Sequence, residues 1–231
     1  MSERENILGR IREALKLTAP VPGAHDLQDH HSPRPTGGGS ESKISSWLPL
    51  VGEAFEERVA LFSKNSIELK TDFRLLNSKE ELLETLAAIA AQESWNKIGI
   101  HRGDLTDLAA EKLGLPMVDT SSPYDVQELE SCDAGISQCD ALVAQTGTVL
   151  VTARSAGGRA LSVLPPHHVV IASRGQLLAD LPGAFALLKN KYQGNYPSLI
   201  SLITGPSRTG DIERILVLGA HGPKKLTILC A

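Results

Sequence analysis

The sequence predicts an α/β protein built on a largely parallel sheet. From about residue 44 onward, short apolar segments with strand character alternate with amphipathic helical stretches, joined by Gly-containing turns. Aromatic residues are only 4% of the chain, so the core must be made of Leu, Ile, Val and Ala, as in helix-covered parallel sheets. Hydrophobic residues at 42% and charged residues at 22% of 231 are the balance of a globular domain.

Charge and cysteine usage narrow the function classes. Lys+Arg is 23 and Asp+Glu is 27, a net charge of −4. A nucleic-acid binder held by phosphate neutralisation should show a basic excess, so nucleic acid is not an expected partner. No apolar run reaches the ~18–20 residues of a membrane span, and the opening MSERENILGRIREAL lacks the apolar centre of a signal peptide. The expectation is a cytoplasmic protein with no membrane contact. Cys132, Cys139 and Cys230 have no C-x-x-C spacing. They read as buried thiols of a reducing compartment, and no metal or other cofactor is expected.

The elements follow in order. Residues 1–17 form an amphipathic helix, with Ser2 at cap position, Glu5 at capping-box distance, and Ile7, Leu8, Ile11, Leu15 and Leu17 on one stripe. That stripe needs a cover: its own domain, another subunit or a partner, so homo-oligomerisation is left open. Residues 18–43, with Pro20, Pro22, Pro33, Pro35 and Gly37-Gly38-Gly39-Ser40, are a linker. His25, His30 and His31 lie in it and read as solvated rather than metal-binding. Residues 44–231 are the α/β domain.

Within that domain, 46–64 predicts a helix with an irregular start at Pro49, and 66–70 (SIELK) a short strand. Residues 78–93 predict a helix capped by Ser78, with Glu81 at the third position and Leu82, Leu83, Leu86, Ile89 and Ala90 inward. Strand 97–102, helix 104–114 closed by Gly114, and strand 115–120 come next. Residues 133–137 and 141–153 are strand-like, the latter broken at Gly147, and 160–173 holds two strand segments around Pro165-Pro166. The 141–153 and 160–173 stretches are expected to add an antiparallel hairpin to the parallel sheet. Helix 176–190 with a break at Pro182, strand 198–204 and final strand 225–230 complete the pattern.

Open α/β sheets bind ligands beyond the carboxyl ends of their strands, and four segments are candidates for that rim. In Gln145-Thr146-Gly147-Thr148 two hydroxyls flank a glycine within an apolar strand, which reads as a bulge or a close approach to a ligand. In Ser155-Ala156-Gly157-Gly158-Arg159, free N–H groups beside Arg154 and Arg159 could make an anion nest, or simply turn a hairpin. In Pro165-Pro166-His167-His168, two imidazoles open a strand on opposite faces, so one of them reaches a site. The richest segment is Thr204-Gly205-Pro206-Ser207-Arg208-Thr209-Gly210-Asp211-Ile212-Glu213. Thr209 could cap a helix running to Leu218, whose N-terminus would point with Arg208 at an anionic ligand, although 215–218 also reads as a strand. Asp211 could temper that charge or pair with Arg208, and His221-Gly222-Pro223 could bring a further imidazole to the same edge. The chain holds no P-loop, H-E-x-x-H, G-x-S-x-G or G-x-G-x-x-G.

The order of Asp133-Ala134-Gly135-Ile136, Gln145-Thr146-Gly147-Thr148, Leu164-Pro165-Pro166-His167-His168, Gly205-Pro206-Ser207-Arg208-Thr209 with Asp211-Ile212-Glu213, and Leu218-Gly219-Ala220-His221-Gly222-Pro223 resembles the LUD-domain family, lactate utilization protein C type. Ile-Arg-Glu-Ala-Leu at 11–15 resembles the start of that type. The resemblance implies a three-layer α/β/α sandwich similar to the sugar-phosphate isomerase and CoA-transferase group. It implies a cluster-free component of a bacterial system oxidising L-lactate to pyruvate, alongside partner subunits that carry iron–sulfur clusters. The resemblance also implies an acidic residue at the position of Gln145. Glutamine there cannot form an acyl-enzyme.

On this reading a small anion binds at a rim of Thr146, Gly147, Thr148, Gly205, Ser207, Arg208, Thr209 and Asp211. Arg208 holds the anion, the hydroxyls orient it, and His167 or His221 supplies a proton. The alternatives are a stand-alone isomerase or acyl/CoA-transferase acting on a phosphorylated or CoA-linked substrate, and an assembly subunit with no small-molecule site.

Overall fold

A computed structural model describes residues 49–212, 215–218 and 222–231. The amphipathic arm, the linker with its three histidines, Glu213 and His221 lie outside the described residues.

Six strands form a wholly parallel sheet: β1 (Asp72–Leu75), β2 (Ile98–Ile100), β3 (Met117–Asp119), β4 (Ala134–Gln138), β7 (His167–Ala172) and β12 (Lys225–Cys230), in the spatial order β1-β12-β7-β4-β2-β3. The helices are α1 (Phe55–Leu69), α2 (Lys79–Gln92), α3 (Asp104–Leu113), α4 (Val126–Glu130), the single turn α5 (Ala153–Ala156) and α6 (Leu181–Tyr192). A second, mixed sheet is made by β5 (Ala141–Val143), β6 (Thr148–Thr152), β8 (Leu177–Leu178) and β9 (Ile200–Ile203), in the order β8-β5-β6-β9. A two-stranded ribbon, β10 (Arg208–Ile212) with β11 (Ile215–Leu218), follows β9.

The period of two along β7 sorts the layers. Val169 and Ile171 join Leu82, Leu86 and Ile89 of α2 and Ala109 of α3 in one core, while Val170 and Ala172 join Phe62 of α1 and Leu142, Val149 and Val151 of the second sheet in another. The parallel sheet is therefore covered on both faces, as a three-layer α/β/α fold requires. α6 packs Ala184, Leu188 and Tyr192 on the outer side of the second sheet, against Ala141, Val143 and Leu150. Truncating a fully buried leucine such as Leu86 to alanine should cost about 2–5 kcal/mol.

The caps explain several boundaries. Ser78 Oγ accepts from Glu81 N–H at 3.2 Å and starts α2. Gly114, at φ +60°, ends α3. Pro182 lies in the first turn of α6, where its missing N–H costs nothing, and Asp180 caps the helix through Gly183 N–H at 2.8 Å.

Four expectations need correction. Segment 66–70 is not a strand: α1 begins later than expected, at Phe55, and runs through it to Leu69, where Lys70 closes it in the left-handed region. Residues 209–218 are not a helix but the antiparallel ribbon β10–β11. The hairpin lies within 141–152, as β5–β6 turning at Gly147, and β7 joins the parallel sheet instead. Only one strand, β7, forms around Pro165-Pro166, because the residues before the prolines turn rather than extend.

Candidate functional site

The antiparallel register of β6 and β9 pairs Val149 with Ile203 and so brings Thr148 beside Thr204. Thr146 Oγ1 donates to Thr148 Oγ1 at 2.8 Å, and Thr148 Oγ1 lies 2.8 Å from Thr204 Oγ1. With its oxygen occupied by Thr146, Thr148 turns its own proton to Thr204. The end of α1 seats both neighbouring turns. A Cβ on Gly147 (φ +64°) would stand 2.9 Å from Asn65 Cβ, and one on Gly205 (φ +89°) 3.0 Å from the Leu69 carbonyl. Asn65 Nδ2 donates to the Ala144 and Gln145 carbonyls at 2.8 and 3.1 Å.

Beyond Gly205, Ser207 N–H donates to the Pro223 carbonyl at 2.9 Å, and a Cβ on Gly222 would lie 3.0 Å from Ser207 Cβ. Between these turns, β9 and the segment after α5 lies a cavity of about 360 Å³. Its polar lining is Arg159, Ser162, Ser201, Thr204, Ser207 and the backbone at Gly205 and Gly222. Among the described residues no carboxylate lines it.

The structure thus gathers Gly205 and Ser207 at the cavity, with Thr148 behind them through Thr204, and Thr146 and Gly147 one step further back. Arg208 is used differently from the expectation. Its Nη2 donates to the Leu69 carbonyl, one of the last free carbonyls of α1. The arginine that lines the cavity is Arg159. Thr209 and Asp211 are placed in β10 by their backbone.

His167 does not line this cavity. It opens β7, so it stands at the amino end of the parallel strands, not at the carboxyl rim. Two smaller hollows of about 210 and 220 Å³ adjoin it, both lined by Glu93, Lys224 and Lys225. Its Nδ1 is 3.0 Å from Glu93 Oε2, its Nε2 2.8 Å from Thr227 Oγ1, and Trp95 packs edge-on at 5.3 Å between centroids. Burial pulls the His167 imidazole below its ordinary range despite Glu93, so the ring is neutral at pH 7. For Glu93, burial acts upward, but the Lys225 and His167 hydrogen bonds outweigh it and hold the carboxyl below its usual range. His168 faces the opposite side of β7. It is fully buried, bonds Ser137 Oγ through Nε2 at 2.9 Å, and is pushed down to about 4 by burial.

Two further clusters escaped sequence reasoning. Asp140, after β4, accepts from Ser155 Oγ at 2.7 Å, Lys191 Nζ at 2.6 Å and Tyr192 OH at 2.7 Å. Burial works against its ionised form, yet these donors keep the carboxyl below its ordinary range. Every partner is satisfied, so the cluster braces α5 and α6. His101, after β2, meets Ser121 and Thr120 after β3. Neither cluster has a spacing that sequence could betray, because each joins segments brought together only by sheet order. The three cysteines are free and buried, and burial raises all three thiols. Among the described residues no group of three or more His, Cys, Asp or Glu could hold a metal, and no helix is long and apolar enough to cross a membrane.

Comparison with known proteins gives a consistent pattern. Lactate utilization protein C of Shouchella clausii is 28% identical over 190 residues, covering 79% of this chain and 83% of that protein. Lactate utilization protein C of Oceanobacillus iheyensis is 28% identical over 214 residues, covering 85% and 91%. The crystal structure of a DUF162 family protein from Deinococcus radiodurans superposes with a TM-score of 0.60 at 19% identity, over 79% of this chain and 99% of that one, which shows a shared fold. The LUD domain model matches residues 59–230, three quarters of the chain and nearly all of its described part. The chain belongs to the LUD-domain family.

Proposed function

We propose that the chain is the cluster-free component of a bacterial system oxidising L-lactate to pyruvate, and that it binds a small carboxylate or phosphate in the cavity beside β9. The pathway rests on the relatives named lactate utilization protein C. The anion rests on one observation: the lining combines Arg159 with Ser201, Thr204 and Ser207, with no carboxylate among the described residues there. A cavity of about 360 Å³ suits a small metabolite. Arg159 holds the charge, Ser207 and Thr204 orient the anion, and Thr148 and Thr146 fix Thr204. Arg208 secures the end of α1 beneath the Gly205 turn. The partners in this reading are subunits that carry iron–sulfur clusters, as the resemblance to the lactate utilization protein C type implies.

Acyl transfer finds less support. Gln145 Nε2 donates to the Pro49 carbonyl at 3.1 Å, which is an anchoring contact and offers no nucleophile.

The test is complementation of a deletion strain on L-lactate. Ser207→Phe, which fills the cavity, should abolish growth while the protein stays folded and still co-purifies with its partners. Wild-type growth with that variant would refute the site. Failure of the wild-type gene to restore growth on lactate would refute the pathway.

A further inference from the structure

The amino edge of the parallel sheet holds a hydroxyl, an imidazole and a carboxylate in series. Thr227 Oγ1 lies 2.8 Å from His167 Nε2, and His167 Nδ1 lies 3.0 Å from Glu93 Oε2. Sheet register makes the series. Thr227 of β12 is paired with Val169 of β7, so Thr227 and His167 share one face of the sheet, and Leu226 and His168 share the other. Glu93 is the C-terminal cap of α2, the helix packed on that first face.

The proton positions follow from the donors. Lys225 Nζ donates to Glu93 Oε1 at 2.8 Å and Trp95 Nε1 to Oε2 at 3.3 Å, which hold the carboxylate ionised and fixed. An ionised carboxylate only accepts, so His167 Nδ1 carries the ring proton and donates it. Burial keeps the ring neutral at pH 7, so Nε2 is a bare lone pair and accepts from Thr227 Oγ1. A hydroxyl bonded to a neutral imidazole, whose far nitrogen is fixed by a carboxylate, is how an alcohol is made nucleophilic. All three side chains line one hollow of about 210 Å³, which shares no lining residue with the cavity beside β9. Thr227 and His167 are buried there, whereas Lys70, Arg74, Lys224 and Lys225 at the same hollow are exposed, so the pair is its floor and the cations its rim. Arg74 is paired with Asp72 and Lys225 with Glu93, while Lys70 and Lys224 form no ion pair among the described residues. Those two charges are free to meet an anionic substrate group and a developing oxyanion.

We infer that this hollow is a second, hydrolytic site, in which Thr227, His167 and Glu93 cleave small carboxylic esters that carry an anionic group. Thr227 Oγ1 attacks the ester carbonyl carbon as its proton passes to His167 Nε2. The tetrahedral intermediate breaks its bond to the leaving oxygen, which takes that proton from Nε2 and departs as the alcohol. Water then attacks the acyl-threonine and gives a proton to Nε2. Collapse returns that proton to Thr227 Oγ1 and frees the carboxylic acid. Glu93 is a positioning residue that fixes the ring. The site does not depend on the cavity beside β9 or on a role in lactate utilisation.

The experiment incubates the full chain with the acetate ester of a sulfonated nitrophenol, an anionic ester whose released phenolate is coloured. It follows the absorbance and the mass of the peptide that contains Thr227. Turnover above the buffer rate and an acetyl group on Thr227 are expected. Thr227→Val, which keeps the shape and loses the hydroxyl, should abolish both. Thr227→Ser should keep both, which separates lost chemistry from lost packing. His167→Gln should lower the rate on the order of 10²–10⁴-fold, and Glu93→Gln should lower kcat with KM unchanged. The uncharged para-nitrophenyl acetate, measured against its own buffer hydrolysis, should be the poorer substrate. No turnover by the wild-type chain, turnover that survives Thr227→Val, an acetyl group on Lys224 or Lys225 in place of Thr227, or equal use of the uncharged ester would overturn the inference. Loss of growth with Ser207→Phe bears only on the proposed function, so the two can fail separately.

Discussion

His167 Nδ1 lies 3.0 Å from Glu93 Oε2, while the other oxygen of that carboxylate accepts from Lys225 Nζ at 2.8 Å. One carboxylate at the end of α2 therefore ties the opening residues of β7 and β12. The imidazole is buried and its second nitrogen is held by Thr227. Both ring nitrogens are engaged, so the first role of His167 is to join three elements at the amino edge of the sheet.

Glu93→Ala removes the acceptor of a buried ring and should cost about 1–3 kcal/mol. Urea unfolding at pH 7 measures this. A loss within a few tenths of a kcal/mol would show that the contact is dispensable.

His168 sets a pH dependence. Its pKa is held at about 4 in the folded chain, against ~6.5 when unfolded. Between those values the unfolded chain takes up a proton that the native state refuses, so stability falls as pH drops from 6.5 toward 4. The full loss is about 3 kcal/mol for this group, and His167 acts in the same direction. His168→Leu should flatten the fall of the urea midpoint over that range. An unchanged slope would remove His168 from the account.

Gly147 and Gly114 both have positive φ but differ in surroundings. A Cβ on Gly114 would meet nothing within 4 Å, while one on Gly147 would meet Leu69 Cδ1 at 2.8 Å and Asn65 Cβ at 2.9 Å. Gly114→Ala should cost only the backbone term of about 1–2 kcal/mol. Gly147→Ala should cost roughly 1–3 kcal/mol more, from overpacking against α1. Paired thermal melts test the difference, and equal losses would contradict the close seating of this turn.

Local signals were legible where local physics decides. Ser78 and Glu81 announce α2, Gly114 closes α3, and the apolar run 225–230 is a buried strand. SIELK misleads because Ile67 and Leu69 alternate as in a strand, yet they lie on the last turns of α1. The 209–218 stretch has a cap-like Thr209, but the pairing of Arg208 with Leu218 and Thr209 with Val217 forms a ribbon. Of the site, Gly205, Ser207 and the supporting threonines were legible as a polar turn after a strand. That Arg159 lines the cavity while Arg208 bonds the Leu69 carbonyl was not, because it depends on where α1 ends relative to β9. His167 was legible as the opening residue of a strand, and in a parallel sheet that alone puts it at the amino edge, opposite to the rim where it was expected.

The proposed function gives the Arg159-lined cavity beside β9 a role in lactate utilisation. Its sharpest test is the growth rate on L-lactate of a deletion strain carrying Arg159→Glu, a charge reversal at an exposed residue. The protein should accumulate and melt as wild type does, grow normally on a carbon source that bypasses lactate, and fail on L-lactate. Growth on L-lactate at the wild-type rate would contradict the claim.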